Sequence, residues 1–181
     1  MGQPKEPQPA KLFMSLIAAS EEGVRQGVDK LVLLFGETDF FSERFPFNFT
    51  DYYRDEMGPS LFRHVISFRE LIRIPRLSEI KGITNQLEGT LATPEGNRRV
   101  NIDPGYLCLQ HVVLATTKGY AHRPYLRDGI YADLTLLYRD KSFQPLEWTY
   151  PDYKQEGILR LFNQMREKYR ADLKKGAIER C

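Results

Sequence analysis

The order of elements legible in this chain predicts an α+β fold: a ferredoxin-like, split βαβ antiparallel sheet core with a C-terminal helix and hairpin extension. Three observations lead there. Apolar patterns run strand, helix, strand, strand, helix, strand from the N-terminus to about residue 102. The 181 residues suffice for one domain and fall short of two. Apolar residues make up 41% and aromatics 12%, so the chain has the surface to bury that disordered chains lack.

Each element has its own signal. Residues 1–9 are polar, with prolines at 4, 7 and 9, and read as a disordered tail. Lys11 to Ala18 is almost continuously apolar, as a central strand covered on both faces should be. Ser20 can cap a helix whose first turn holds Glu21 and Glu22. Val24, Val28, Leu31 and Phe35 follow at helical spacing, and Gly36 is a suitable stop. Phe45, Phe47 and Phe49 alternate within Phe41 to Phe49, a strand that Pro46 pushes to a sheet edge or a bulge. Thr50 or Asp51 can cap a short helix, Tyr52 to Met57. Leu61 to Ile72 reads as a strand ended by Pro75.

Ser78 then caps a helix with Ile80, Ile83, Thr84, Leu87 and Leu91 on one face. Arg98 to Ile102 is a strand. Asp103-Pro104 suits a helix opening, and a helix from there to Lys118 is the favoured reading. The competing reading makes Val112 to Thr116 a strand, because Val and Thr favour sheets. Ile130 to Tyr138 is a strand, turned into a hairpin by Arg139-Asp140-Lys141. The last helix runs from about Gln155 to Lys174, with Ile158, Leu161, Phe162, Met165 and Tyr169 as its buried stripe. Residues 10–175 thus form a single domain, and 176–181 a second tail.

Charge and cysteines exclude several classes. The net charge of +2 is too small to predict nucleic-acid binding by itself. Residues 19–58 carry a balance of −5, and residues 59–100 and 151–181 carry +3 each. Cys108 reads as a buried thiol and Cys181 as an accessible one, which makes no disulfide framework. No apolar run approaches the ~18 residues of a membrane span, and the polar, Pro-spaced start is not expected to act as a signal peptide. The expected setting is soluble and cytoplasmic. P-loop, G-x-G-x-x-G, H-E-x-x-H and G-x-S-x-G patterns are all absent.

Four polar clusters remain as candidate sites. The first spans Thr50 to Met57, where Asp51 and Glu56 are candidate metal ligands. The second is Asn101-Ile102-Asp103-Pro104-Gly105-Tyr106. Asn101 and Asp103 share one face of a strand there, and the amides of Gly105 and Tyr106 would open a helix suited to an anion. The third runs from Thr116 to Arg127. Lys118, Arg123 and Arg127 suit phosphate or carboxylate, and His122 is its candidate acid or base. The fourth, Trp148 to Tyr153, is an aromatic loop expected to fold over the sheet as a lid.

Together these runs resemble the bacterial family described as domain of unknown function 4416. The likeness is carried by Phe45 to Tyr53, Glu56-Met57-Gly58, Val100 to Leu107, Ala115 to Lys118, His122-Arg123 with Tyr125-Leu126, Gly129 to Ala132, and Trp148 to Tyr153. It covers roughly residues 10–173 and implies a stand-alone bacterial protein. Some members are labelled GTP-binding. This chain lacks both a P-loop and the N-K-x-D guanine reader.

Three functional expectations follow. The first is a polar cleft for a phosphate- or carboxylate-bearing ligand, such as a nucleotide or an RNA end. Asp103 and His122 would be its acid–base groups; Asn101, Tyr106, Lys118, Arg123, Tyr125 and Arg127 would bind. The second is a hydrolase dependent on Mg²⁺ or Mn²⁺, using Asp51, Glu56, Asp103 and His122. The third is a non-catalytic homo-oligomeric assembly protein.

Overall fold

The computed structural model describes residues 2–178, with side chains through residue 175. Its elements run β1 (Ala10–Ala18), α1 (Glu21–Phe35), β2 (Thr38–Phe41), β3 (Phe45–Phe47), α2 (Arg54–Met57) and β4 (Leu61–Ile72). Then come α3 (Leu77–Leu91), β5 (Val100–Leu107), β6 (His111–Thr116), β7 (Tyr125–Arg127), β8 (Ile130–Arg139), β9 (Ser142–Pro145) and α4 (Glu156–Ile178). All nine strands join one antiparallel sheet in the order β2-β4-β1-β5-β6-β8-β7, with β3 also on β4 and β9 also on β8.

Every residue of β1 is buried, because both edges pair and both faces are covered. Leu12, Met14 and Leu16 face α1 and α3, where they pack with Leu31, Ile80 and Leu87. Phe13 points the other way, toward Ile158, Phe162 and Met165 of α4. The sheet is therefore a middle layer with two helices on one face and one on the other.

Local chemistry sets the boundaries. Ser20 Oγ accepts from Gly23 N at 3.2 Å to open α1, and Gly36, at φ 86°, closes it. Asp128-Gly129 and Asp140-Lys141 all adopt positive φ and make the two-residue turns of the β7–β8 and β8–β9 hairpins. The Tyr169 hydroxyl donates to Pro9 O at 2.6 Å, which ties the segment before β1 to α4.

Several expectations need correction. Residues 104–116 contain no helix: β5 runs through Asp103-Pro104 to Leu107, and His111 to Thr116 is β6. The β preference of Val112, Val113 and Thr116 wins over the capping signal. A helix would also misplace Gly105, where a Cβ would strike the Phe13 ring and come within 2.6 Å of Val113 O. Asp103 therefore caps nothing, and the amides of Gly105 and Tyr106 lie in a strand. Ser78 is buried within α3, whose start carries no side-chain cap. The expected strand over Phe41 to Phe49 is two short edge strands, β2 and β3, split where Ser42 Oγ accepts from Val65 N. The expected tail from 176 is helical through Ile178, and 179–181, Cys181 included, lie outside the described residues.

Candidate functional site

The sheet forks between β5 and β6. These strands pair over Gly105–Leu107 and Val112–Leu114, then separate. The N–H and C=O of Ile102 face away from β1, because Glu88 Oε1 takes the first at 2.8 Å and Lys81 Nζ donates to the second at 3.1 Å. Alternation puts Pro104 on that same edge, where it has no N–H to offer. The next rung to β6 lacks its donor, and side chains of α3 fill the opening. The result is a cleft of about 350 Å³. Asn101, Asp103, Thr116 and Lys118 line its lips, and Ile17 and Arg63 lie beneath. Tyr52, Tyr53, Tyr150 and Tyr153 complete the walls.

One wall is a chain of charged hydrogen bonds. Glu56 grips Arg98 at Nε and Nη2, the latter at 2.6 Å. Arg98 Nη1 donates to Asn101 Oδ1 at 2.9 Å, and Asn101 Nδ2 to Asp103 Oδ2 at 2.7 Å. Lys81 Nζ donates to Asp103 Oδ1 at 3.1 Å. Glu88 closes the chain, and burial pushes its carboxyl above the usual range. Burial, reinforced by the charge of Asp103, raises Tyr53 well above an ordinary phenol.

Arg63 is incomplete by comparison. It is 4% exposed and stands between the rings of Phe47 and Tyr153, at 5.1 and 4.6 Å. Its Nη2 meets Asp152 at 2.5 Å, while Nε and Nη1 have no hydrogen-bond partner. The hydroxyls of Tyr153 and Ser15 lie nearby without completing a hydrogen bond. Lys118 stands at the lip, its ammonium 4.0 Å over the Tyr52 ring.

The predicted residues divide. Asn101, Asp103 and Lys118 meet in the cleft. Arg123 stands just behind it, donating to Asp133 at 2.8 Å, Tyr150 at 2.6 Å and Lys118 O at 3.0 Å, so it braces three segments. His122 stacks on Trp148 at 5.0 Å, with Nε2 3.9 Å from Asp133, off the cleft lining. Tyr106 lies on the opposite face, bonded to His111 at 3.2 Å, and shares a second pocket with Arg127. Tyr125 is exposed and packs edge-on to Tyr131. Asp51 is exposed beside Arg54, and Glu56 is taken by Arg98. Among the described residues, no three His, Cys, Asp or Glu side chains converge as metal ligands. Of the aromatic loop, Tyr153 is buried and Tyr150 stands at the cleft.

Arg63, Lys81, Glu88 and Arg98 escaped the sequence reading. Arg63 left one trace, a charge inside the otherwise apolar run Leu61–Phe62 and Val65–Ile66.

A mixed α/β protein built on one nine-stranded antiparallel sheet, with a polar cleft at a strand fork, is the class that fold and site define. The chain belongs to the family described as Domain of unknown function (DUF4416), whose model matches residues 8–169. No curated protein and no solved structure matches it. No helix among the described residues is long and apolar enough to cross a membrane.

Proposed function

We propose that the cleft binds a small ligand through a phosphate or carboxylate group, with Arg63 as the anchor. The observation that carries this reading is the pair of buried guanidinium nitrogens, Nε and Nη1, that no protein acceptor meets. A buried donor left unpaired costs about 1–3 kcal/mol, more when charged, and a bound anion removes that cost. Lys118 supplies a second cation at the lip, Asn101 and Asp103 orient polar groups, and Tyr52 and Tyr150 offer ring faces. A nucleotide, an RNA end and a carboxylated metabolite all fall within this class. Any proton transfer in the cleft falls to Asp103, the carboxylate most open to a ligand. The order β2-β4-β1-β5, with α1 and α3 on one face, supports reading the core as ferredoxin-like with β6 to β9 added. A bacterial cytoplasm is the setting we assign.

Thermal denaturation across nucleotides, sugar phosphates and carboxylic metabolites tests the reading. At least one anion should raise the melting temperature of the wild type. Arg63→Met should abolish that shift, and Lys118→Ala should reduce it. A cooperative melt that no anion moves would overturn the proposal.

A further inference from the structure

The charges of the cleft restrict what the anion can be. Its lining holds four cations, Arg63, Lys81, Arg98 and Lys118, and four carboxylates, Glu88, Asp103, Asp133 and Asp152. The nearest outside partners, Glu56 on Arg98 and Arg123 on Asp133, cancel as well. A neutral wall has no surplus field for a polyphosphate.

The charges are also unequally available. Every side-chain nitrogen of Lys81 and Arg98 meets a protein acceptor, whereas Arg63 keeps two nitrogens unpaired. The side chains of Glu88, Asp133 and Asp152 are 9%, 3% and 10% exposed, whereas that of Asp103 is 31% exposed. The cleft therefore presents an unpaired cation at its floor, Arg63, a second cation at its lip, Lys118, and a single open carboxylate, Asp103. The sheet fixes the relation of Arg63 to Asp103. Arg63 pairs with Ile17, and Asp103 with Ser15, so both project from the same face, two strands apart. Strand spacing and the two-residue offset set their backbones about 12 Å apart, within reach of two groups on one small molecule. Lys81 and Asn101 hold Asp103 from behind.

We infer that the ligand is a small amino-acid-like zwitterion, its carboxylate on Arg63 and its ammonium on Asp103. Its side chain lies against Tyr52 and Tyr150. The inference rests on the anion-binding reading and names the ligand class for that site. A planar carboxylate matches the guanidinium, and an ammonium finds the lone pairs that Lys81 and Asn101 leave on Asp103.

The test is calorimetric titration of the wild-type protein with the protein L-amino acids, AMP and ATP. The tightest-binding amino acid is then compared with its own deaminated and decarboxylated analogues. For L-phenylalanine these are 3-phenylpropanoate and 2-phenylethylamine. The amino acid should bind at least about tenfold more tightly than either analogue, the factor of one charge-assisted contact. Asp103→Asn should erase the amino acid's preference over the deaminated acid. Equal binding of amino acid and deaminated acid would overturn the inference and leave the anion site standing. So would binding of AMP or ATP without any amino acid. The analogue comparison needs no variant, so a folding defect in Asp103→Asn does not blunt the test.

Discussion

Lys11 and Arg63 stand on the same face of the sheet, the first at 0% exposure and the second at 4%. Their surroundings differ. Lys11 Nζ donates to Asp39 at 2.8 Å, Asp172 at 2.9 Å and Phe68 O at 3.1 Å, one acceptor for each proton. It fastens α4 and β2 to the central strand and needs nothing more. Arg63 has one carboxylate for its five donors. Buried charge alone therefore does not mark a site. The mark is buried charge that the protein leaves unfinished, beside an opening in the sheet.

This contrast can be broken at either end. The largest expected effect is at the completed cation. Lys11→Met removes the principal partner of the buried Asp39, leaving it Ser67 and the more distant Lys168, and should cost about 3–5 kcal/mol in urea unfolding. At the unfinished cation, the double change Arg63→Met with Asp152→Asn removes an ion pair that satisfies only part of itself. Stability should stay within about 1 kcal/mol of wild type or rise, as buried pairs replaced by apolar groups often show. A loss matching that of Lys11→Met would mean Arg63 is structural.

The smallest effects are in pH dependence, and their signs are opposite. Burial alone would raise the Asp39 carboxyl, but hydrogen bonds from Lys11 and Ser67 outweigh it and hold it below its ordinary 3.8. Its stabilisation is present above that value and is lost as the pH falls through the folded value. Glu88, lifted above its ordinary 4.5 by burial, behaves in reverse. Its contribution is present below 4.5 and is lost as the pH rises through the folded value. Glu88→Gln keeps the acceptor for Ile102 N and should flatten the alkaline side of the stability profile. Denaturation at a series of pH values reads both slopes, and an unchanged profile in Glu88→Gln would contradict the burial argument.

The fold was legible wherever local periodicity decided it. Strand Leu61–Ile72, the cap at Ser20 and the stripe of α4 all appear as expected. Sequence reading failed at Asp103-Pro104, where a good capping pair sits in a strand because Phe13 and β6 press against Gly105. Half of the site was legible for a related reason. Asn101 and Asp103 share a strand face, a local relation of spacing two. Arg63, Lys81 and Glu88 join them only through pairing across β4, β1 and β5 and the reach of α3, contacts that no local pattern encodes. His122 looked catalytic beside Arg123 and Lys118, yet the chain turns it onto Trp148.

The central claim is that Arg63 is left unfinished for an anion. Its most direct test is the melting temperature of wild type and of the Arg63→Met, Asp152→Asn double variant, each titrated with the same anion panel. The account predicts stabilisation of the wild type that grows with ligand concentration, and none in a variant that melts at the same temperature or higher without ligand. Equal stabilisation of both proteins would contradict it.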